Sequence, residues 1–192
     1  LAHRALGKQL EPSALLRLGI RNISDEDVRF ALGKGLKIRL LATAQLREGG
    51  RFQAFVIPNM VPPKDPFYHL ENEYNSIEVQ SLFTESQWLV GKGAGSLPTG
   101  FAVLSDLNAS LSGKARVAAR AAVPVSNDLG GETNVYLRSE RPEALSLLDF
   151  EEIWETRQTP KGTQVLGRTK LQNLADRARE LEDLRCFVAV FP

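Results

Sequence analysis

Apolar and polar residues alternate along two stretches of the chain, and a short turn sequence interrupts each stretch once. LKIRLLATAQL and FQAFVIP flank REGGR, and NSIEVQSLF and QWLV flank TES. Alternation with a period of two, broken by a turn, is typical of an antiparallel hairpin. The sequence therefore predicts two hairpins, and the second of them leads directly into Gly91.

Apolar residues recur at helical intervals in other parts of the chain. Ser24 and Asp27 have capping-box spacing, and Gly35 suits the left-handed position after the helix that they begin. Pro98 suits a first helical position, and the apolar residues that follow it predict a helix that packs one face inward. A short helix is predicted from Pro12, and a further long helix covers TKLQNLADRARELED.

The passage KARVAARAAVPVSNDLGGE either continues the helix from Pro98 or leaves it, and Pro124, Gly130 and Gly131 end any regular element. We therefore place a domain boundary between residues 123 and 124. Residues 124–192 are predicted to contain the strands TNVYLR, TQVLGR and RCFVAVF, with ALSLLDFEEIW unassigned. The predicted fold class is α+β: a mixed, largely antiparallel sheet with helices on one face, plus a small C-terminal α+β unit.

The charge balance and the single cysteine limit the partners and the compartment. The chain has 24 lysines and arginines against 23 aspartates and glutamates, which gives a formal net charge of +1. This balance provides no field for nucleic acid or an anionic membrane, so neither is an expected partner. No apolar run approaches the roughly 18 residues of a membrane span. Cys186 lies in the apolar run CFVAVF, where we expect a buried, inert thiol and a cytoplasmic, reducing setting.

Gly91, Gly93 and Gly95 alternate in the run GKGAGSLPTG, just before the helix predicted from Pro98. Without Cβ atoms, this backbone can take positive φ and approach a ligand or another backbone. The free N–H groups and partial positive charge of a helix N-terminus favour a phosphate or a carboxylate. The spacing fits neither the G-x-G-x-x-G of a dinucleotide fold nor a P-loop. These residues alone therefore leave two interpretations open, an anion-binding loop and a tight structural turn.

Longer segments carry a family resemblance. GKGAGSLPTGFAVLSDL resembles the signature G-x-GAG-x-x-PTA-x-AV-x-x-D in the catalytic domain of homoserine dehydrogenases. Upstream, LGIRNISDEDVRFALGKGLKIRLLATAQL resembles the family's GI-x-x-I-x-x-x-D stretch leading into KLLA, and FVIPNMVPPKDPFYHLENEYNSIEV resembles its V-x-P-x-x-x-P…HPL…N-x-V region. The segments occur in the family's order and cover roughly residues 5–110.

The resemblance implies part of an NAD(P)-dependent oxidoreductase that interconverts aspartate semialdehyde and homoserine in threonine and methionine biosynthesis, as a homodimer. It also implies that the glycine-rich loop lies beside the cofactor, NADP or NAD, with contacts from Gly93, Ala94, Gly95, Pro98 and Thr99. Gly100 and Phe101 depart from the family's alanine and small residue, so we expect the packing of the loop to differ.

Parts of the family pattern are missing from this sequence. The dinucleotide-binding domain that would hold most of the cofactor is absent, as is the segment with the catalytic lysine and aspartate. No catalytic residue is therefore assigned, and the chain alone is expected to be inactive. Leu1, in place of an initiator methionine, and the uncapped helical pattern after it indicate a piece of a longer protein.

Other chemically suggestive residues are expected to have no catalytic or metal-binding role. His69 is displaced from the family's histidine and inherits no function. Lys64 and Asp65 are expected to be solvated surface residues and not a proton-transfer pair. His3, His69 and the scattered carboxylates show no ligand spacing, so no metal is expected.

A regulatory or oligomerisation module is the alternative to an enzyme fragment. YLRSERPEAL resembles the YLR…D-x-PGVL opening of the ACT domains that follow some homoserine dehydrogenases. Glu143 stands where those domains have the glycine that lets an amino-acid effector approach, so we expect a divergent α+β extension. In the alternative, the loop is only a turn, and residues 124–192 bind an amino-acid effector or a partner.

Overall fold

The computed structural model describes residues 2–113 and 122–192. The helices in this part of the chain are α1 (Ala2–Leu6), α2 (Asp25–Gly33), α3 (Ser96–Leu111) and α4 (Leu171–Asp183). The strands are β1 (Lys8–Gln9), β2 (Leu16–Arg17), β3 (Lys37–Leu46), β4 (Phe52–Val61), β5 (Tyr74–Ser81), β6 (Glu85–Lys92), β7 (Val123–Pro124), β8 (Glu132–Ser139), β9 (Phe150–Thr159), β10 (Gly162–Lys170) and β11 (Phe187–Val190). No helix among the described residues is long and apolar enough to cross a membrane.

The main sheet is organised around β4. Strand β3 pairs with it antiparallel along its whole length, from Lys37 opposite Val61 to Leu46 opposite Phe52. The other edge of β4 carries β2 and β11 in succession, both parallel to it. Beyond β11 the order is β8, β10 and β9, each antiparallel to its neighbour. The predicted α+β class with a mixed, largely antiparallel sheet is confirmed.

The C-terminal strands continue the sheet that the N-terminal strands begin. Val190 of β11 pairs with Asn59 of β4, and this pairing joins the C-terminal strands to β4. The chain accordingly divides into one compact unit of Leu1–Lys64 with Ala122–Pro192, and a second of Asp65–Ala121. The predicted boundary between residues 123 and 124 does not coincide with this division.

Helices α2 and α4 pack on opposite faces of the main sheet, which corrects the prediction of helices on one face. Successive residues of a strand point to opposite faces. In β8, Val135 and Leu137 pack in the cluster that contains α4, and Tyr136 packs in the cluster that contains α2. The α2 cluster is closed by the stacked rings of Phe30 and Tyr136, whose centroids are 4.6 Å apart.

Most of the local predictions for the first compact unit are confirmed. The capping box of α2 is present, with the Ser24 N–H donating to Oδ2 of Asp27 at 2.7 Å, and Gly35 has φ 72°. The helix predicted from Pro12 is wrong: Pro12–Ala14 form one 3₁₀ turn, and the next residues leave for β2 because Leu16 pairs with Phe55 on β4. The unassigned ALSLLDFEEIW contains a 3₁₀ turn and the start of β9.

The second compact unit contains the other predicted hairpin, which is also confirmed. Strands β5 and β6 pair from Tyr74 opposite Lys92 to Ser81 opposite Glu85. A two-stranded sheet buries little by itself, and Leu82 and Phe83 at its turn are 98% and 96% exposed. The predicted continuation of the following helix into residues 114–121 lies outside the described residues.

Candidate functional site

The glycine-rich loop joins the second hairpin to a long helix. Strand β6 ends at Lys92, and α3 begins at Ser96 and runs for 16 residues. Gly95, the residue before the helix, has φ 110° and ψ 162°, a conformation that side chains with a Cβ rarely adopt. Because this glycine makes the turn, the helix starts earlier than predicted and Pro98 lies at its third position. Its missing N–H is tolerated there, since first-turn amides have no partner within the helix.

The first turn of α3 can offer few backbone donors to a ligand. Pro98 has no N–H, and the Thr99 N–H donates to the carbonyl oxygen of Gly95 at 3.2 Å. The helix amides that a ligand could use are therefore those of Ser96 and Leu97, both in exposed residues. N–H groups at the positive end of a long helix can donate to an anionic or carbonyl group of a ligand.

Gly93 is constrained by its own hairpin. A Cβ on Gly93 would collide with the side-chain amide of Asn75 on β5. The Gly93 N–H donates to the carbonyl oxygen of Glu73 at 3.1 Å. The absence of a side chain at Gly93 therefore already serves the packing of the hairpin. By contrast, a Cβ on Gly91 would meet no atom within 4 Å.

The hairpin end before the loop is fixed by further contacts. Nζ of Lys92 lies 2.8 Å from Oε1 of Glu73 and 5.3 Å from the ring centroid of Tyr74. The hydrogen bond from Lys92 lowers the pKa of the Glu73 carboxyl from its ordinary value. An exposed ion pair contributes little stability, but together with the Gly93 backbone bond it holds the start of the loop in one place.

Helix α3 does not bury an apolar face, which corrects the prediction that it packs inward. None of its residues is buried. Its large apolar side chains are between 53% and 85% exposed: Leu97, Phe101, Val103, Leu104, Leu107 and Leu111. A contiguous apolar surface of this kind marks a face that binds another protein surface or a ligand.

Replacing Gly100 with alanine is expected to stabilise α3. Gly100 lies inside the helix, and a Cβ there would meet no atom within 4 Å. Alanine in a helix interior is favoured over glycine by about 1 kcal/mol, so hydrogen exchange of the α3 amides should slow about fivefold. The same substitution at Gly113, which has φ 60° just after the helix, should speed exchange. Equal effects at the two positions would contradict the described helix end.

The other residues that the sequence singled out as chemically suggestive take local structural roles. Oδ1 of Asp65 accepts the Phe67 N–H at 2.9 Å and so caps the 3₁₀ turn Pro66–His69. The His69 ring packs 5.3 Å from that of Tyr68. Cys186 is buried, and desolvation raises the pKa of its thiol, which agrees with an inert side chain. Among the described residues, no group of three or more His, Cys, Asp or Glu is placed to hold a metal ion.

The structure contains a buried polar cluster between α2 and β8. The sequence predicted only one part of it, the helix cap formed by Ser24 and Asp27. The Asp27 carboxylate accepts hydrogen bonds from the Tyr136 hydroxyl at 2.7 Å and from Nε of Arg138 at 2.8 Å. It also accepts hydrogen bonds from the backbone N–H and the hydroxyl of Ser24. Burial and the charge of Asp27 raise the pKa of the Tyr136 hydroxyl, which therefore stays a donor. The sequence feature that could have indicated this cluster is the spacing of Tyr136 and Arg138, which places two polar groups on one face of a buried strand.

The fold and the loop together define a class: an α+β protein in which a glycine turn leads into the exposed N-terminus of a long helix. The family model for homoserine dehydrogenase matches residues 1–107, which includes the loop and most of α3. The chain belongs to the homoserine dehydrogenase family.

Curated relatives match about half of the chain. A homoserine dehydrogenase of Bacillus subtilis is 36% identical over 89 residues, covering 46% of this chain and 20% of that protein. A homoserine dehydrogenase of Corynebacterium glutamicum is 34% identical over 93 residues, covering 46% of this chain and 21% of that protein. The matched segment is thus about a fifth of the length of these relatives.

Solved structures resemble the whole chain. A homoserine dehydrogenase from Thiobacillus denitrificans has a TM-score of 0.66 at 23% identity, covering 100% of this chain and 50% of that one. A homoserine dehydrogenase from S. aureus has a TM-score of 0.60 at 21% identity with the same coverage. The fold of residues 124–192 therefore has a counterpart in these structures, and this chain spans half of their length.

Proposed function

We propose that this chain is part of a homoserine dehydrogenase whose complete form interconverts aspartate semialdehyde and homoserine, in threonine and methionine biosynthesis. The observation that carries the proposal is the family match over residues 1–107, which includes the glycine-rich loop. The cofactor, NADP or NAD, would be bound mainly by an N-terminal dinucleotide-binding domain, and its nicotinamide would exchange a hydride with the substrate. A cytoplasmic location and a homodimer stay predictions.

In this proposal the chain contributes backbone, and not a catalytic side chain, to the cofactor side of the active site. The proposed contacting residues are Gly93, Ala94, Gly95, Pro98 and Thr99. Because Pro98 has no N–H and the N–H groups of Gly93 and Thr99 bond within the chain, these three would pack against the cofactor, while the helix amides of Ser96 and Leu97 would donate to it. The conformation of Gly95 and the exposed first turn of α3 support this role, since both allow backbone to approach a ligand closely. The exposed apolar face of α3 is consistent with a partner domain or subunit lying against it in the complete protein.

The proposal is tested by comparing the complete protein with the 192-residue chain in an assay that follows oxidation of NADPH or NADH in the presence of aspartate semialdehyde. We expect turnover by the complete protein and none by the chain alone, because hydride transfer needs the cofactor domain. A complete protein that is folded but inactive would overturn the assignment, and turnover by the chain alone would overturn the division of the site.

Within the complete protein, Gly95→Val is expected to lower kcat/KM for the nicotinamide cofactor. Valine cannot take φ 110° without strain, so the first turn of α3 would shift. A misplacement of about 1 Å can cost on the order of a hundredfold, and we expect at least tenfold here. Gly91→Ala is the control, because a Cβ at Gly91 meets open space and Gly91 has no positive φ. If Gly95→Val and the parent protein had equal kinetics, the loop would have only a structural role and would not contact the cofactor.

We propose a regulatory or dimerisation role for residues 124–192, and their topology favours it. The elements run β8, a 3₁₀ turn, β9, β10, α4 and β11, in the sheet order β11-β8-β10-β9. This is a βαββαβ arrangement with the first helix reduced to a 3₁₀ turn. The test is the activity of the complete protein with and without threonine or methionine. Identical activity with and without either amino acid, together with a monomeric complete protein in light scattering, would contradict the role.

A further inference from the structure

A cavity of about 390 Å³ lies in the first compact unit, between the loop before α2, the end of β8 and the turn after α4. This volume falls within the roughly 300–1,000 Å³ of small-molecule sites. Its charged lining consists of Arg21, Arg138, Arg185 and Glu140. Asp27 already pairs with Nε of Arg138, and Oε1 of Glu182 lies 3.5 Å from Nη1 of Arg21. The cationic character of the cavity therefore comes from Arg185 and from the part of the Arg138 guanidinium that Asp27 does not bind.

Arg138 is the buried member of this lining, and part of its guanidinium is uncommitted. Only 2% of its side chain is exposed. Nε donates to Asp27 at 2.8 Å, and Nη2 donates to the carbonyl oxygen of Asn22 at 2.7 Å. Nη1 is buried and has no hydrogen-bond partner among the described residues. A buried donor without an acceptor is costly, so native proteins usually supply one.

Arg185 occupies a position where the backbone favours glycine. It follows the last turn of α4 with φ 56°. The turn is a Schellman motif, in which the Arg185 N–H donates to Glu182 and the Cys186 N–H donates to Leu181. Glycine would take this conformation without strain, whereas an arginine costs stability and places a cation at the rim of the cavity.

We propose that this cavity is a binding site for a small anionic ligand, whose carboxylate or phosphate group accepts hydrogen bonds from Nη1 of Arg138 and is held by Arg21 and Arg185. Guanidinium groups suit both anions, because their N–H groups form a planar fork. Oε1 of Glu140 lies 3.8 Å from Nη1 of Arg138, too far for a hydrogen bond. A bound anion would displace Glu140 from this position, so Glu140 opposes binding.

The test is a titration of the isotopically labelled 192-residue chain with inorganic phosphate, and separately with acetate, at low ionic strength. Amide signals of Ser24, Glu140 and Arg185 are followed by NMR, with sodium chloride as the reference salt. We expect saturable shifts that chloride does not reproduce. Saturation by phosphate alone indicates a phosphate ester as the ligand class, and saturation by acetate indicates a carboxylate; either result supports the site.

Substitutions separate binding from folding. Arg185→Gly should weaken binding about tenfold, the loss expected for one charged hydrogen bond, while it raises the melting temperature. Arg21→Gln should also weaken binding, and Glu140→Gln should strengthen it. Arg157→Gln on the edge strand β9, outside the lining, is the control and should change neither property. Absence of saturation by both anions, or unchanged binding in Arg185→Gly, would overturn the proposal.

Discussion

Asp27→Ala is expected to lower the free energy of unfolding by roughly 3–5 kcal/mol, because removing one partner of a buried ion pair leaves the other charge uncompensated. Asp27 is fully buried, and Arg138 is 2% exposed. The substitution would also remove the acceptor of the Tyr136 hydroxyl and the carboxylate that completes the capping box of α2. Urea denaturation followed by far-UV circular dichroism measures the loss.

The control for this prediction is Asp25→Ala in the same turn of α2. Asp25 is exposed, so its loss should cost less than about 1 kcal/mol, the usual contribution of a charge near a helix N-terminus. A combined replacement of Asp27 by leucine, Arg138 by methionine and Tyr136 by phenylalanine should recover much of the stability, since these apolar side chains leave neither a buried charge nor an unpaired buried hydroxyl. A cost of Asp27→Ala no larger than that of Asp25→Ala would show that the pair is not stabilising.

Gly162→Ala is expected to destabilise the main sheet by roughly 2–5 kcal/mol, from strained backbone and from forced movement of a neighbouring strand. Gly162 begins β10 with φ 114°. A Cβ there would meet the carbonyl group of Ser139 and would lie 2.7 Å from Cα of Glu140. Both neighbours are backbone at the end of β8, so they cannot rotate away as a side chain would.

The comparison for Gly162→Ala is Gly33→Ala at the end of α2. A Cβ on Gly33 would meet no atom within 4 Å, and its φ is not positive. Alanine there should stabilise the protein by up to about 1 kcal/mol. Opposite signs for the two substitutions are therefore expected in thermal and urea denaturation, and a stabilising Gly162→Ala would contradict the close approach of β10 to β8.

The sequence predicted the elements whose causes are local. The β3–β4 and β5–β6 hairpins follow from alternation around a turn, and the start of α2 follows from Ser24 and Asp27 at capping-box spacing. The helix predicted from Pro12 failed because the pairing of Leu16 with Phe55, distant in sequence, outweighed a weak local preference. The position of the glycine-rich loop, between a strand and a helix, was predicted for the same local reasons.

The sequence by itself determined the family resemblance, the two hairpins and the position of the glycine-rich loop, and it assigned no catalytic side chain. Motif order and periodicity are properties of neighbouring residues, so these features need no tertiary structure. Only the tertiary structure decided that β11 joins the C-terminal strands to β4, that α2 and α4 lie on opposite faces, and that α3 leaves its apolar residues exposed. It also brought Asp27 to Arg138, and Arg138 to the cavity that Arg21 and Arg185 share. Asp27 and Arg138 are 111 positions apart in the chain, and no local pattern specifies which distant side chains will share one buried space.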